Sequence, residues 1–460
     1  MVLARAGSIS KTVMTEWTPE GQADQTPKSL GLRIIRSLRE TFIVNEMRLL
    51  LVLERLGSIL KRCRPKSFSP GPPAPLDLAF PWISITGKEM LTLGIYLGGI
   101  PVYNIYHLFS EIEGSMASNR DLTIDTLRGL AVFTMVAANM TPDVLIEPHP
   151  FWLRLYGSFA APLFILLSGM MVAFTTQTRE HRLRYFMFRG AIIITIGMAV
   201  DLIYLIYPFT SVDVLYLIGL SLPLVYLFLR LNTSSRWIMV CSIFLITPII
   251  QKALGYTDFP TEISFWGEQT ITAENQTNIF NHWVVDGWFP IFPWLGFSFL
   301  GANLAHLRCT YKPLATFGKK SILLIGMGIL AFGSILWYLF PDSLLTRGGN
   351  SELFYPPTIG YIITAIGIMV ILFSIVDWKP SLAIYKPLRT LGESSLFIYW
   401  LHLQLIGYAI APVWSKKGLQ TFSLIYIGLL GFLILVAYGL RVLKAKWKDR
   451  PLIFRILLGG

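Results

Sequence analysis

Charge is scarce in this sequence: 14% of its 460 residues are Asp, Glu, Lys or Arg, against about 25% in a soluble domain. So little charge cannot cover a chain of this size for water, which excludes a wholly soluble protein. Cysteine is scarcer. Cys63, Cys241 and Cys309 are too few and too scattered for a disulfide framework or a zinc site, so plain reduced cysteines and no metal are expected. No apolar run follows the first basic residues, and no signal peptide is expected. No internal repeat is visible. The net charge is +12, but the basic residues lie mainly in short loops between apolar runs. They form no stripe on a soluble domain, which excludes nucleic acid as a partner.

What is abundant is apolar sequence, 53% of the chain, with 13% aromatics. A helix needs about 20 mainly apolar residues to cross a bilayer. Stretches of that kind lie at 124–143, 155–176, 187–207, 212–230, 236–251, 287–306, 320–340, 356–377, 393–412 and 421–441. The expected fold is all-α: a polytopic transmembrane helix bundle of about ten spans. If the first span runs outward, nineteen basic residues fall in inner connections and the C-terminal tail, against five outside. That asymmetry predicts a cell (inner) membrane protein with both termini cytoplasmic. Three segments are expected: a basic N-terminal cytoplasmic segment over 1–119, the membrane domain over 120–445, and a basic tail over 446–460. Within the first, 29–63 could form an amphipathic helix resting on membrane lipid. The uncharged stretch 90–109 reads as interfacial or re-entrant rather than spanning.

Ionisable groups inside spans are costly and draw functional suspicion. Asp125 and Arg128 open the first span three residues apart, on one helical face where they can pair. They are either an end-of-helix ion pair or an anchor for an anionic ligand. Asn139 lies three turns beyond Arg128, on roughly the same side. It is either a helix–helix hydrogen bond or a site amide. His149 sits in a short outer loop between Pro148 and Pro150, where it could take a proton near neutral pH. The long connection from Lys252 to Asp286 carries acids and aromatics, including His282, Trp283 and Asp286, which suit a polar ligand such as a sugar. Asn275 opens a glycosylation sequon there. Asp201 and Asp213 flank an outer turn. Glu393, Tyr399 and His402 mark the ninth stretch. Glu393 and His402 are too far apart to touch, and His402 is equally a site residue or a packing histidine.

Three stretches together carry a resemblance. The first runs from Arg128-Gly129-Leu130-Ala131 through Asn139 and His149 to Pro162–Gly169. It resembles the start of the catalytic domain of heparan-α-glucosaminide N-acetyltransferase and its bacterial relatives, within the wider membrane acyltransferase group. Asp286–Gly296 looks like the sixth-span motif of the bacterial members. Leu391–His402 is similar to a late-span pattern of the wider group, which usually has histidine where this chain has Asn139. The resemblance covers about 120–445. It implies acetyl transfer across a membrane, from cytoplasmic acetyl-CoA to an outer glycan or other envelope hydroxyl or amine. His149 would be the base or acyl carrier, and Asn139 would donate to the thioester oxygen. Asp125, Arg128, Arg182 and Arg184 would meet the anionic donor, alongside Arg179 and Arg189. A homodimer is admitted. Two other classes stay open: a transporter or flippase of a polar lipid or metabolite, lined by Asp125, Arg128, Asp201 and His402, and a non-catalytic scaffold.

Overall fold

The computed structural model describes residues 121–178, 181–204, 206–256, 279–311, 316–340, 352–355, 357–447 and 451–459. The expectations for 1–119, Arg179 and the Asn275 sequon lie outside the described residues. Each of the ten apolar stretches coincides with helix. They form α1 (Leu122–Val144), α2 (Phe151–Ser158) with α3 (Ala160–Thr178), α4 (Leu183–Ile203), α5 (Val214–Phe228), α6 (Thr233–Leu254), α7 (Ile291–Thr310), α8 (Lys320–Leu339), α9 (Ile359–Trp378), α10 (Lys386–Glu393) with α11 (Ser395–Gln404), and α12 (Leu419–Lys446). A short α13 (Leu452–Leu458) follows.

Among the described residues seven helices are long and apolar enough to cross a membrane, counting α2 and α3 as one and α11 together with the turn that continues it to Trp414. The other three stretches fall short for identifiable reasons. α5 is only 15 residues long. α1 carries Asp125, Arg128, Asn139 and Asp143, and α7 carries Asn303, His306 and Arg308. The polar residues therefore concentrate on the most buried helices, where neighbouring helices rather than lipid surround them.

Starts and stops follow capping chemistry. The Asp121 carboxylate accepts from the backbone N–H groups of Thr123 and Ile124 and begins α1. Asn232 does the same for α6 and Thr358 for α9. The stretch expected as one span over 393–412 is broken. α10 ends at Glu393, Ser394 leaves helical geometry, and α11 gives way to a π-helical turn over Leu405–Ile410. The 287–306 stretch enters late, because 282–286 is itself a π-helical turn and α7 begins only at Ile291.

Two pairs of glycines bring helices into backbone contact. A Cβ at Gly129 would lie 1.8 Å from the Leu388 carbonyl oxygen, and one at Gly392 2.0 Å from that of Asp125. These two lock α1 against α10. Gly169 and Gly301 do the same for α3 and α7, with would-be Cβ distances of 1.9 Å and 2.0 Å. A polar knot closes one end of the bundle. Asp377 on α9 accepts from the Thr123 hydroxyl on α1 at 2.6 Å and from Arg308 on α7 at 2.9 Å. Its other oxygen takes the Phe317 N–H at 2.6 Å.

Candidate functional site

Between α1, α3, α4, α5 and α11 lies a cavity of about 490 Å³. Its polar lining is divided between two ends. At one end α1 contributes Arg128, α4 contributes Arg189, and the α10–α11 junction contributes Glu393 and Ser395. At the other stand Asn139 from α1, Asp213 from the start of α5, Tyr399 from α11 and Glu352. The belt between them is apolar: Met135, Phe164, Ile193, Ile218, Leu222 and Leu396. Arg128 and Asn139 are eleven residues apart on one helix, so the two ends are separated by about 16 Å.

The Arg128 end holds fixed positive charge. Arg128 sits 3.7 Å from Asp125, so the expected i,i+3 pair forms, and it donates to the Ser395 hydroxyl at 3.1 Å. The pair leaves Arg128 partly exposed, and the same side chain lines the cavity. Arg182 and Arg184 line a separate open groove with His181 and Phe188. Tyr185 belongs to both groove and cavity, so the two adjoin. α13 approaches the same end, and its Ile456 together with Gly459 completes the lining.

At the opposite end Asn139, Asp213 and Tyr399 each have a specified partner. Asn139 Nδ2 lies 2.9 Å from His402 Nε2. The Tyr399 hydroxyl donates to Asp213 Oδ2 at 2.7 Å, and Asp213 Oδ1 accepts from the Val214 N–H at the start of α5. Just behind, Asp201 accepts from the hydroxyls of Tyr216 at 2.6 Å and Ser211 at 3.1 Å. The two aspartates that flank the turn in sequence thus become buried, hydrogen-bonded carboxylates. Sequence reasoning could place them near the outer turn but could not pair them with tyrosines 15 and 186 positions away.

His149 is half-buried on the loop between α1 and α2 and is not among the residues lining the cavity. Its Nε2 lies 3.3 Å from the Leu145 carbonyl oxygen. A carbonyl only accepts, so Nε2 carries the proton and Nδ1 keeps its lone pair. Burial holds the ring's pKa below its ordinary value of 6.5, partly offset by that hydrogen bond, so the neutral form prevails near pH 7. His282 and Asp286 are buried against each other, Nδ1 to Oδ1 at 2.6 Å, and Trp283 donates to the Phe209 carbonyl at 3.2 Å. None of the three lines the cavity. They frame the segment that delivers Phe289, which does. Among the described residues no group of His, Cys, Asp or Glu is arranged to hold a metal.

A bundle of membrane-length helices around such a polar-ended cavity is the layout of a multi-pass membrane protein with an internal site. Residues 120–341 match the family model described as heparan-alpha-glucosaminide N-acetyltransferase, catalytic. The match covers just under half of the 460 residues. The match takes in α1 to α8 and leaves α9 to α13 beyond it, including Tyr399 and His402. None of the curated proteins matches the chain.

Proposed function

We propose that this protein transfers an acetyl group across a membrane, from acetyl-CoA on the cytoplasmic side to a glycan or other envelope hydroxyl or amine outside. The single observation that carries the reading is the cavity's polarity: two arginines at one end, where Glu393 faces Arg441 and Lys444, and amide, carboxylate and phenol groups about 16 Å away at the other. If all ten apolar stretches cross and the first runs outward, the Arg128 end lies with the cytoplasmic loops and the Asn139 end outside, which agrees with basic residues concentrating on the former side.

An anionic donor meets Arg128 and Arg189 at the cavity, with Asp125 orienting Arg128, and Arg182 and Arg184 in the adjoining groove. The apolar belt excludes water from the thioester arm lying along it. Asn139 supplies an N–H at the reacting carbonyl, where one such donor is worth roughly 3 kcal/mol. His149, neutral with Nδ1 unprotonated, takes the acceptor's proton at the outer mouth or carries the acetyl group between donor and acceptor. His282, Trp283 and Asp286 shape the outer approach on which the acceptor lies. Membrane lipid surrounds the bundle, and a homodimer is compatible with it.

Purified protein in nanodiscs, given radiolabelled acetyl-CoA, tests the reading. Saturable binding that weakens severalfold in Arg128→Ala, with label moving to a supplied amine or sugar, is expected. Lack of binding at high micromolar donor would turn attention to the transporter reading.

A further inference from the structure

One face of α11 meets polar groups of the cavity, and the last residue of that face has a role that the reaction scheme above leaves unassigned. Ser395, Tyr399 and His402 fall at i, i+4 and i+7, a single helical stripe. Ser395 accepts from Arg128, Tyr399 donates to Asp213, and His402 meets Asn139. Each partner lines the cavity, whereas His402 is fully buried behind it.

The proton positions at His402 follow from its neighbours. Its Nδ1 lies 3.0 Å from the Ile398 carbonyl oxygen, one turn back on its own helix. That oxygen can only accept, so Nδ1 bears the hydrogen. A fully buried imidazolium without a hydrogen-bonded carboxylate would be costly, and the partners of the two ring nitrogens are the Ile398 carbonyl and the Asn139 amide. The ring is therefore neutral and Nε2 is a bare acceptor. The atom of Asn139 facing it at 2.9 Å must then be the amide nitrogen. One N–H of Asn139 is fixed on the ring, which sets the direction of the other N–H and of the carbonyl oxygen.

We propose that His402 is a positioning residue: as a neutral hydrogen-bond acceptor it selects and holds the one amide orientation of Asn139 that presents an N–H to the reacting thioester. The inference rests on the acyl-transfer reading for its consequence, but its geometry can be tested apart from it. Glutamine at 402 keeps an acceptor oxygen within reach. Phenylalanine keeps the ring and removes the acceptor.

The test uses full-length protein in nanodiscs. Histidine-selective 15N NMR should show an unprotonated, hydrogen-bonded Nε2 at position 402 whose resonance moves in Asn139→Ala. In acetyl-CoA cleavage, His402→Phe should lose about tenfold to a hundredfold in kcat with donor KM within about twofold, because only transition-state contacts are lost. His402→Gln should recover most of that loss. Combining His402→Phe with Asn139→Ala should cost no more than Asn139→Ala alone. An Nε2 resonance indifferent to Asn139→Ala overturns the proposal. So do losses that add in full, or a glutamine variant as poor as the phenylalanine one. Wild-type protein inert toward acetyl-CoA would sink the functional reading instead, while the NMR arm still decides whether His402 holds Asn139.

Discussion

Gly169 and Ser298 meet backbone to backbone: a single methyl group on the first would stand 1.9 Å from the carbonyl oxygen of the second. α3 carries Phe164, Ser168 and Met171 of the cavity wall, and this approach packs it directly on α7. Gly169→Ala must push the helices apart. A loss of about 1–3 kcal/mol is expected from overpacking, read as a lower melting temperature in detergent. Gly428→Ala, where nothing lies within 4 Å, should leave it unchanged.

The Asp377 knot is predicted to be structural. Asp377→Ala leaves Arg308 with Asp121 at 3.0 Å but without Asp377 at 2.9 Å, and takes the acceptor from the Thr123 hydroxyl and the Phe317 N–H. Removing one partner of a largely buried pair costs about 3 kcal/mol. Replacing both, as in Arg308→Met with Asp377→Leu, should recover part of the loss. Thermal unfolding of the two variants checks this. Acetyl transfer by whatever folded protein remains should be preserved, since neither residue lines the cavity.

Removing the Tyr399 hydroxyl leaves the Asp213 carboxylate with only the Val214 N–H among its hydrogen bonds given above. An unmet buried acceptor costs about 1–3 kcal/mol. Because Asp213 faces the cavity beside Asn139, Tyr399→Phe should raise the acceptor's KM more than the donor's. Steady-state kinetics varying each substrate in turn decides the matter. Equal effects on both would remove Asp213 from the acceptor side.

The pH profile follows from His149. Burial disfavours its charged form and holds its folded-state pKa below 6.5. As the base, it is active above that lowered value and idle below it. The kcat/KM profile should therefore fall on the acid side with a midpoint under 6.5, and this limb should vanish in His149→Ala. Stability follows the same sign. The unfolded chain takes up this proton first, so His149 lowers stability as pH falls from 6.5 through the folded-state value.

Much of the fold was legible in residue types alone. The ten apolar stretches are ten helical stretches, because membrane-length hydrophobicity is a local property. The motif glycines at 129, 169 and 392 were also visible, and the structure shows their physical reason: each is a point of backbone contact between helices. The pairing of Asp125 with Arg128 could be read from spacing. The contact of Asn139 with His402 could not, since 263 residues separate them and no local rule joins α1 to α11. Asn139 had been weighed as a helix–helix hydrogen bond against a site amide. The structure gives it both a helix–helix partner and a place in the cavity wall. Span ends were missed where backbone chemistry departs from hydropathy, as at Ser394 and over 282–286.

Cleavage of acetyl-CoA by wild-type protein and Asn139→Ala, compared in nanodiscs at saturating donor, tests the central claim most directly. If Asn139 stabilises the reacting thioester, cleavage should fall about 10²- to 10³-fold while donor affinity stays the same. Equal rates in the two proteins, or a fall explained wholly by weaker donor binding, would contradict the account.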